Sequence, residues 1–409
     1  MDKKTQKKAT KAVKKTVKRA AKKHPGLVIA VIILVLIIIA VGVILYFKVP
    51  QIHDAVNGWF KVEPTNTVGG NDPPKAGTYG DKDLSFHFLE LGNNFTGDST
   101  YIKAGDVDIL IDAGSRYDSA DDIATYVDQY CTDGKLEYVI ATHGHQDHIA
   151  GFADTNKSYG IFKRYECGVI IDFALTNATS EVYKKYVAAR DAEVTAGAKH
   201  YTAMDCVAER NGAQKTYQLG EGMSMTILYQ YYYDHTAKDE NDYSVCVLFN
   251  HGDNYYLLTG DLEEPGEASL VQENNLPEVQ LFKAGHHGSY SATTNALLSV
   301  IKPKIVCVCC CAGSIEYTKT KNDHTFPAQE FIDRVAPYTD KVYVTTVGSV
   351  QFNDTKNKYE DVGFASMNGN ITVLSSGGNV TVTCSNNNTL LKDTEWFSQN
   401  RTRPPAWAA

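Results

Sequence analysis

The chain has 409 residues, 43% of them hydrophobic and 22% charged, which rules out a chain too polar to bury a core and allows one large domain with appendages. Its formal net charge of −8 hides an asymmetry. Residues 1–24 carry eleven Lys or Arg against Asp2, a local +10, so that −8 less +10 leaves −18 for residues 25–409. A body that acidic argues against nonspecific nucleic-acid binding, which needs basic surface to displace counterions.

The basic segment 1–24 is followed by Leu27 to Phe47, a run without charge or amide. As a helix it spans roughly 32 Å, close to the hydrocarbon thickness of a bilayer. It has no polar face, as a core helix would, and no small-residue cleavage site. The expectation is a single transmembrane anchor over 25–48. The basic flank puts the N-terminus in the cytoplasm, and the globular remainder lies outside the plasma membrane. Residues 49–82, with Gly69-Gly70 and Pro73-Pro74, read as a linker.

From 83 to about 355 strand and helix signals alternate. Ser85–Leu91, Ser99–Lys103 and Val107–Asp112 read as a meander, Ala120–Tyr130 as a helix and Leu136–Ala141 as a buried strand. Ser180 caps a helix reaching Ala196. Strands follow at 224–229, 243–250 and 255–259, helices at 264–273 and 294–301, and a strand at 304–311. Residues 356–409 read as a β-rich extension and tail. The nine cysteines include Cys309-Cys310-Cys311, where Cys serves as a small apolar residue of a buried strand. Alternating strands and helices predict an α/β sandwich.

One stretch points to chemistry. Thr142-His143-Gly144-His145-Gln146-Asp147-His148 gathers three imidazoles and a carboxylate just beyond a buried strand, a donor set that suits zinc and tolerates manganese. Leu257-Leu258-Thr259-Gly260-Asp261 ends an apolar strand on a carboxylate placed to bridge two metals. Lys283-Ala284-Gly285-His286-His287-Gly288-Ser289 adds further imidazole. Asp112, at another strand end, is placed to orient a ligand histidine.

These motifs resemble the metallo-β-lactamase superfamily, and within it the hydrolase domain of ComEC-type competence proteins. The likeness also includes Leu89-Glu90-Leu91-Gly92, Gly97-Asp98-Ser99, Asn241-Asp242-Tyr243-Ser244 and Asn322-Asp323-His324-Thr325-Phe326-Pro327. It implies a four-layer αββα sandwich holding two divalent metal ions at one edge. Carried over by position, His143 and His145 bind the first metal. Asp147, His148 and one histidine of the 286–287 pair bind the second, with His287 preferred and His286 facing substrate. Asp261 bridges. A third histidine for the first metal has only His200, His235 and His251 as candidates, none in a motif. His324 is a candidate for substrate contact or leaving-group protonation.

The expected activity is hydrolysis by a hydroxide shared between two cations, most simply of a phosphodiester. A cell-envelope substrate suits a tethered exported enzyme better than DNA, and Tyr229, Tyr231, Tyr232 and Tyr233 invite an aromatic cage for a quaternary ammonium. A non-catalytic scaffold of the same fold and an ester, lactone or lactam hydrolase are the alternatives.

Overall fold

In the computed structural model, residues 79–318 and 324–408 are described. The expected basic segment, anchor and linker lie outside them. Among the described residues no helix is long and apolar enough to cross a membrane.

Among the described residues, sixteen strands form two mixed sheets of eight. In the first, β1 (Leu84–Phe88), β2 (Thr100–Ala104) and β3 (Val107–Ile111) run antiparallel, the predicted meander. Beside β3, β4 (Lys135–Ile140), β5 (Glu166–Asp172) and β6 (Lys199–Thr202) continue in parallel. The second sheet begins with antiparallel β7 (Thr216–Gly220), β8 (Met223–Leu228), β9 (Cys246–His251) and β10 (Asn254–Leu258). From β10 it turns parallel through β11 (Leu281–Lys283), β12 (Ile305–Ala312) and β13 (Val342–Asn353). The edge strand β14 (Lys358–Ser366) returns antiparallel to β13.

The sheets meet face to face. Phe86 of β1 lies against Phe249 of β9 and Tyr256 of β10, with ring centroids 5.3 and 4.8 Å apart. Helices cover the outer faces. On the first sheet, Tyr126 of α1 (Ser119–Val127) reaches His87, and Tyr186 of α4 (Glu181–Ala196) joins Phe152 and Phe173. Between these two in sequence come the short α2 (Gln146–Ile149) and α3 (Ile161–Arg164). Ser180 caps α4, its side chain accepting from the Tyr183 N–H at 3.1 Å. After the short α5 (Ala203–Val207), the helices α6 (Glu264–Glu273), α7 (Asn295–Ile301) and α8 (Gln329–Val335) cover the second sheet. They seat Leu270, Leu297 and Phe331 against Leu257, Phe282 and Val306.

The extension expected over 356–409 is not an appendage. Strand β14 lengthens the second sheet, while β15 (Ile371–Ser376) pairs with β1 and β16 (Asn379–Cys384) forms the outer edge of the first. A final helix, α9 (Glu395–Asn400), leads to Trp407, which is buried on the second core. Both sheets therefore need these residues to bury their faces. The cysteine-rich strand is β12, buried along its whole length, and all nine thiols are free and buried. Burial pushes the Cys310 thiol up to about 12, which makes it unreactive.

Candidate metal centre

The four motifs that carry Asp112, the histidine loop, Asp261 and His286–His287 each leave a strand at its carboxyl end, where open α/β sheets place their ligands. Asp112 follows β3, the His143–His148 loop follows β4, Asp261 follows β10, and His286 and His287 follow β11. The two sheets each deliver part of the set.

Local geometry fixes the loops. Gly260 has φ +55, and a Cβ there would sit 2.9 Å from Ser244 Oγ and Thr142 Cβ, so only glycine lets the Asp261 turn close on the histidine loop. Asp112, His286 and His287 hold positive φ of 60, 45 and 55, strain of the kind that gathers at functional sites. Glu240 accepts from Gly144 N at 2.9 Å and Thr176 Oγ1 at 2.7 Å and so pins the histidine loop from outside.

Asp112 orients His148. Its Oδ2 accepts from His148 Nδ1 at 2.7 Å and Thr142 Oγ1 at 2.8 Å, and its Oδ1 from Thr142 N at 2.8 Å. With Nδ1 committed, His148 Nε2 faces Asp261 Oδ2 at 3.0 Å. His287 is set the same way: Nδ1 donates to the Cys309 carbonyl at 2.8 Å, which turns Nε2 to Asp261 Oδ2 at 3.1 Å and Asp147 Oδ2 at 3.4 Å. A tetrahedral zinc with ligands at about 2.0–2.2 Å holds neighbouring donors roughly 3.3–3.6 Å apart. The separations of 3.0 to 3.4 Å therefore come within a few tenths of an ångström of that spacing. His143 Nε2 and His145 Nδ1 approach to 3.1 Å and offer a second pair of nitrogens.

Buried polar atoms without a hydrogen-bond partner support the fit. His287 Nε2 and Asp261 Oδ1 have none. Such atoms are unfavourable unless something satisfies them. Among the described residues, one ligand atom each of Asp98, His148, Asp261 and His287 lies within 4.8 Å of the others. Asp98, however, lies on the Nδ1 side of both rings, 3.8 Å from His148 Nδ1 and 3.4 Å from His287 Nδ1. The ring nitrogens left available are Nε2, so Asp147 rather than Asp98 completes the facing set.

Electrostatics follow the same division. Burial, with His148 and His145 beside it, holds His143 well below the usual imidazole range. Burial opposes charge on His148 and His287 as well, but Asp261 lifts both well above that range, aided by Asp112 for His148 and Asp98 for His287. Without metal these two rings keep protons that a cation must displace. Metal affinity is therefore expected to rise with pH by about one to two orders of magnitude per pH unit over the neutral range. Zinc titrations against a competing chelator at several pH values check this, and a flat response would contradict it.

The donors open onto a cavity of about 520 Å³ lined by Arg116, His145, Gln146, Asp239, His286 and Tyr317, among others. His286 faces it with Nδ1 3.0 Å from Glu263 Oε1. Tyr317 was not found in the sequence, where a lone tyrosine carries no signal. Its ring is half exposed and its hydroxyl donates to Asp147 Oδ2 at 2.7 Å.

Other expectations fall elsewhere. His324 lines a separate surface cavity of about 370 Å³ with Gln329, Glu330 and Arg401 and does not line the metal-side one. His200 is held by Asp172 at 2.8 Å, His251 by Ser375 Oγ at 2.9 Å, and His235 stacks on Tyr231. None of the three joins the first pair of nitrogens. The tyrosine cage is not formed, because Tyr233 is buried and its hydroxyl accepts from Cys246 N.

Residues 92–161, which contain the histidine loop, match the sequence profile of the Metallo-beta-lactamase superfamily. That segment is similar to metallo-β-lactamases. The chain's likeness to ComEC-type proteins rests on Recombination protein 2 of Haemophilus influenzae (strain ATCC 51907 / DSM 11121 / KW20 / Rd), 29% identical over 125 residues. That stretch is 30% of this chain and 15% of the relative, so the chain spans only a small part of that protein. Among solved structures, the metallo-β-lactamase fold protein YhfI from Bacillus subtilis is 14% identical with a TM-score of 0.28, covering 49% of this chain and 70% of that one. The Rm3 metallo-beta-lactamase is 12% identical with a TM-score of 0.31, covering 53% and 79%. The matched segment holds His143, His145, Asp147 and His148, four of the candidate metal donors.

Proposed function

We propose that the chain is a membrane-anchored, extracellular phosphodiesterase that binds two divalent metals, zinc foremost and manganese as the alternative, and acts on a cell-envelope phosphodiester. The observation that carries this reading is the convergence of Asp147, His148, Asp261 and His287 beside the His143–His145 pair, at the floor of an open cavity.

When bound there, such cations acidify a water and offset charge on phosphoryl oxygens. The chain's own residues do the rest. Asp112 and the Cys309 carbonyl fix two imidazoles so that no rearrangement is needed at the moment of reaction. His286, tethered to Glu263, faces the substrate space. Tyr317 is kept protonated, its pKa pushed up by burial of the hydroxyl and by Asp147. Once a metal takes up Asp147, the same hydroxyl hydrogen is free to turn to the leaving oxygen. Tyr317→Phe is expected to lower kcat by about a hundredfold with little change in KM, since the contact matters most where charge develops. Steady-state kinetics distinguish this from a loss of binding, which would raise KM instead.

Arg116 does not make the cavity a polyanion groove. It is committed to Glu316 at 2.5 Å and to the Ser115 carbonyl at 2.6 Å. Together with the −18 of residues 25–409, this favours an envelope polymer over DNA. The full chain in detergent, supplied with zinc or manganese, should release product from a teichoic-acid-type polymer faster than from double-stranded DNA. Turnover of a chromogenic lactam with no phosphodiester cleaved would overturn the assignment.

A further inference from the structure

Lys283 is the last residue of β11, a strand buried on both sides, and is itself 3% exposed. Burying an ammonium ion is strongly unfavourable unless it is paired and fully hydrogen-bonded, and an apolar residue would fill the same strand position without that penalty. The ammonium has three acceptors for its three hydrogens: Asp98 Oδ2 at 2.5 Å, the Ala284 carbonyl at 3.1 Å and the Gly260 carbonyl at 3.4 Å. It also lies 3.9 Å from Asp261 Oδ1, the oxygen turned away from the two imidazole Nε2 atoms.

The partners belong to opposite halves of the domain. Asp98 sits in the loop between β1 and β2 of the first sheet, Lys283 on β11 of the second. Asp98 is anchored on both sides by backbone: its N–H donates to the Asp147 carbonyl at 3.0 Å, and its carbonyl accepts from Gly114 N at 2.7 Å. Gly260 and Ala284 belong to the turns that carry Asp261 and His287. The ammonium therefore ties the loops of the first sheet, which carry His143 to His148, to the turns of the second, which carry Asp261 and His287. It does so directly beneath the donors.

We propose that Lys283 and Asp98 form a buried ion pair that positions the metal ligands. The pair holds Oδ1 of Asp261 from behind, leaves Oδ2 as the oxygen presented to His148 and His287, and fixes the spacing between the two half-sites. Lys283 and Asp98 are positioning residues and touch no substrate. The inference rests on the metal-site reading above, but not on the substrate.

The test uses the full chain in detergent with three variants: Lys283→Met, Asp98→Asn and the double variant. Thermal melting is measured without metal, zinc affinity by chelator competition, and coordination by the absorption of bound Co(II). Each single variant strands a buried charge and is expected to melt earlier. The double variant removes both charges and recovers most of that loss, yet should bind zinc about 10- to 100-fold more weakly, with an altered Co(II) spectrum. Wild-type zinc affinity and spectrum in the folded double variant would overturn the proposal, leaving the pair a structural tie. Should the double variant not fold, Asp98→Glu keeps both charges and shifts the tether. Weaker zinc binding is expected there too, and unchanged affinity overturns the inference. A wild-type chain that binds no zinc overturns this inference together with the metal reading. One that binds zinc but cleaves no phosphodiester overturns only the proposed activity.

Discussion

Asp261→Ala is expected to abolish hydrolysis and tight metal binding together. The carboxylate is the shared neighbour of the two facing imidazoles, at 3.0 Å from His148 and 3.1 Å from His287. Burial opposes its ionisation, yet those two rings hold its pKa well below the usual carboxylate range. Removing it leaves two imidazoles sharing buried space with less compensating charge and takes away the one donor common to both. Activity should fall on the order of a thousandfold or more, because the water is no longer acidified by a metal. The variant should still fold, since Asp261 lies beyond the end of β10 and outside both hydrophobic clusters. Circular dichroism and metal counting on the same sample check this. A variant that loses activity while keeping its full metal content would place Asp261 in the chemistry instead.

Ending the chain after residue 355 is expected to leave it unable to fold. The cut removes β14 from the second sheet and β15 from the first, exposing the side of β1 that pairs from Leu84↔Ser375 to Phe88↔Ile371. Long unpaired strand edges recruit other chains, so the product should aggregate. A milder form is Trp407→Ala. The indole is 1% exposed, lies 5.8 Å from the Phe397 ring and donates to the Thr339 carbonyl at 2.9 Å. Its loss should destabilise the domain by about 3–5 kcal/mol, a large part of a typical total of roughly 5–15 kcal/mol. Denaturant melts of the two variants check both expectations. A soluble, cooperatively folding 1–355 fragment would contradict them.

What the sequence showed and what it hid have a common cause. The histidine loop, Asp261, the His286–His287 pair and Asp112 were legible because each is a short motif at the end of an apolar strand. Asp98 and Lys283 stood inside recognised motifs, but nothing in the sequence assigned either a role. Only β11 lying between β10 and β12 makes the position of Lys283 interior. A charge inside an apolar run was the available signal. Strand β11 itself, three residues long, is below the length at which periodicity can be counted. Strand β14 alternates weakly because it is an edge strand. The return of β15 to β1 joins residues almost three hundred positions apart, which no local pattern records. His324 was drawn into the site by its motif, and three dimensions place it on another cavity.

The proposed activity stands or falls on a metal centre that performs phosphodiester hydrolysis. The most direct measurement is the number of metal ions per full-length chain, taken alongside turnover of bis(p-nitrophenyl) phosphate before and after chelation. Two zinc or manganese ions per chain are expected, with turnover lost on chelation and restored when either metal is returned. A chain that retains no metal after reconstitution and turns over nothing would contradict this, leaving a domain that binds rather than cleaves.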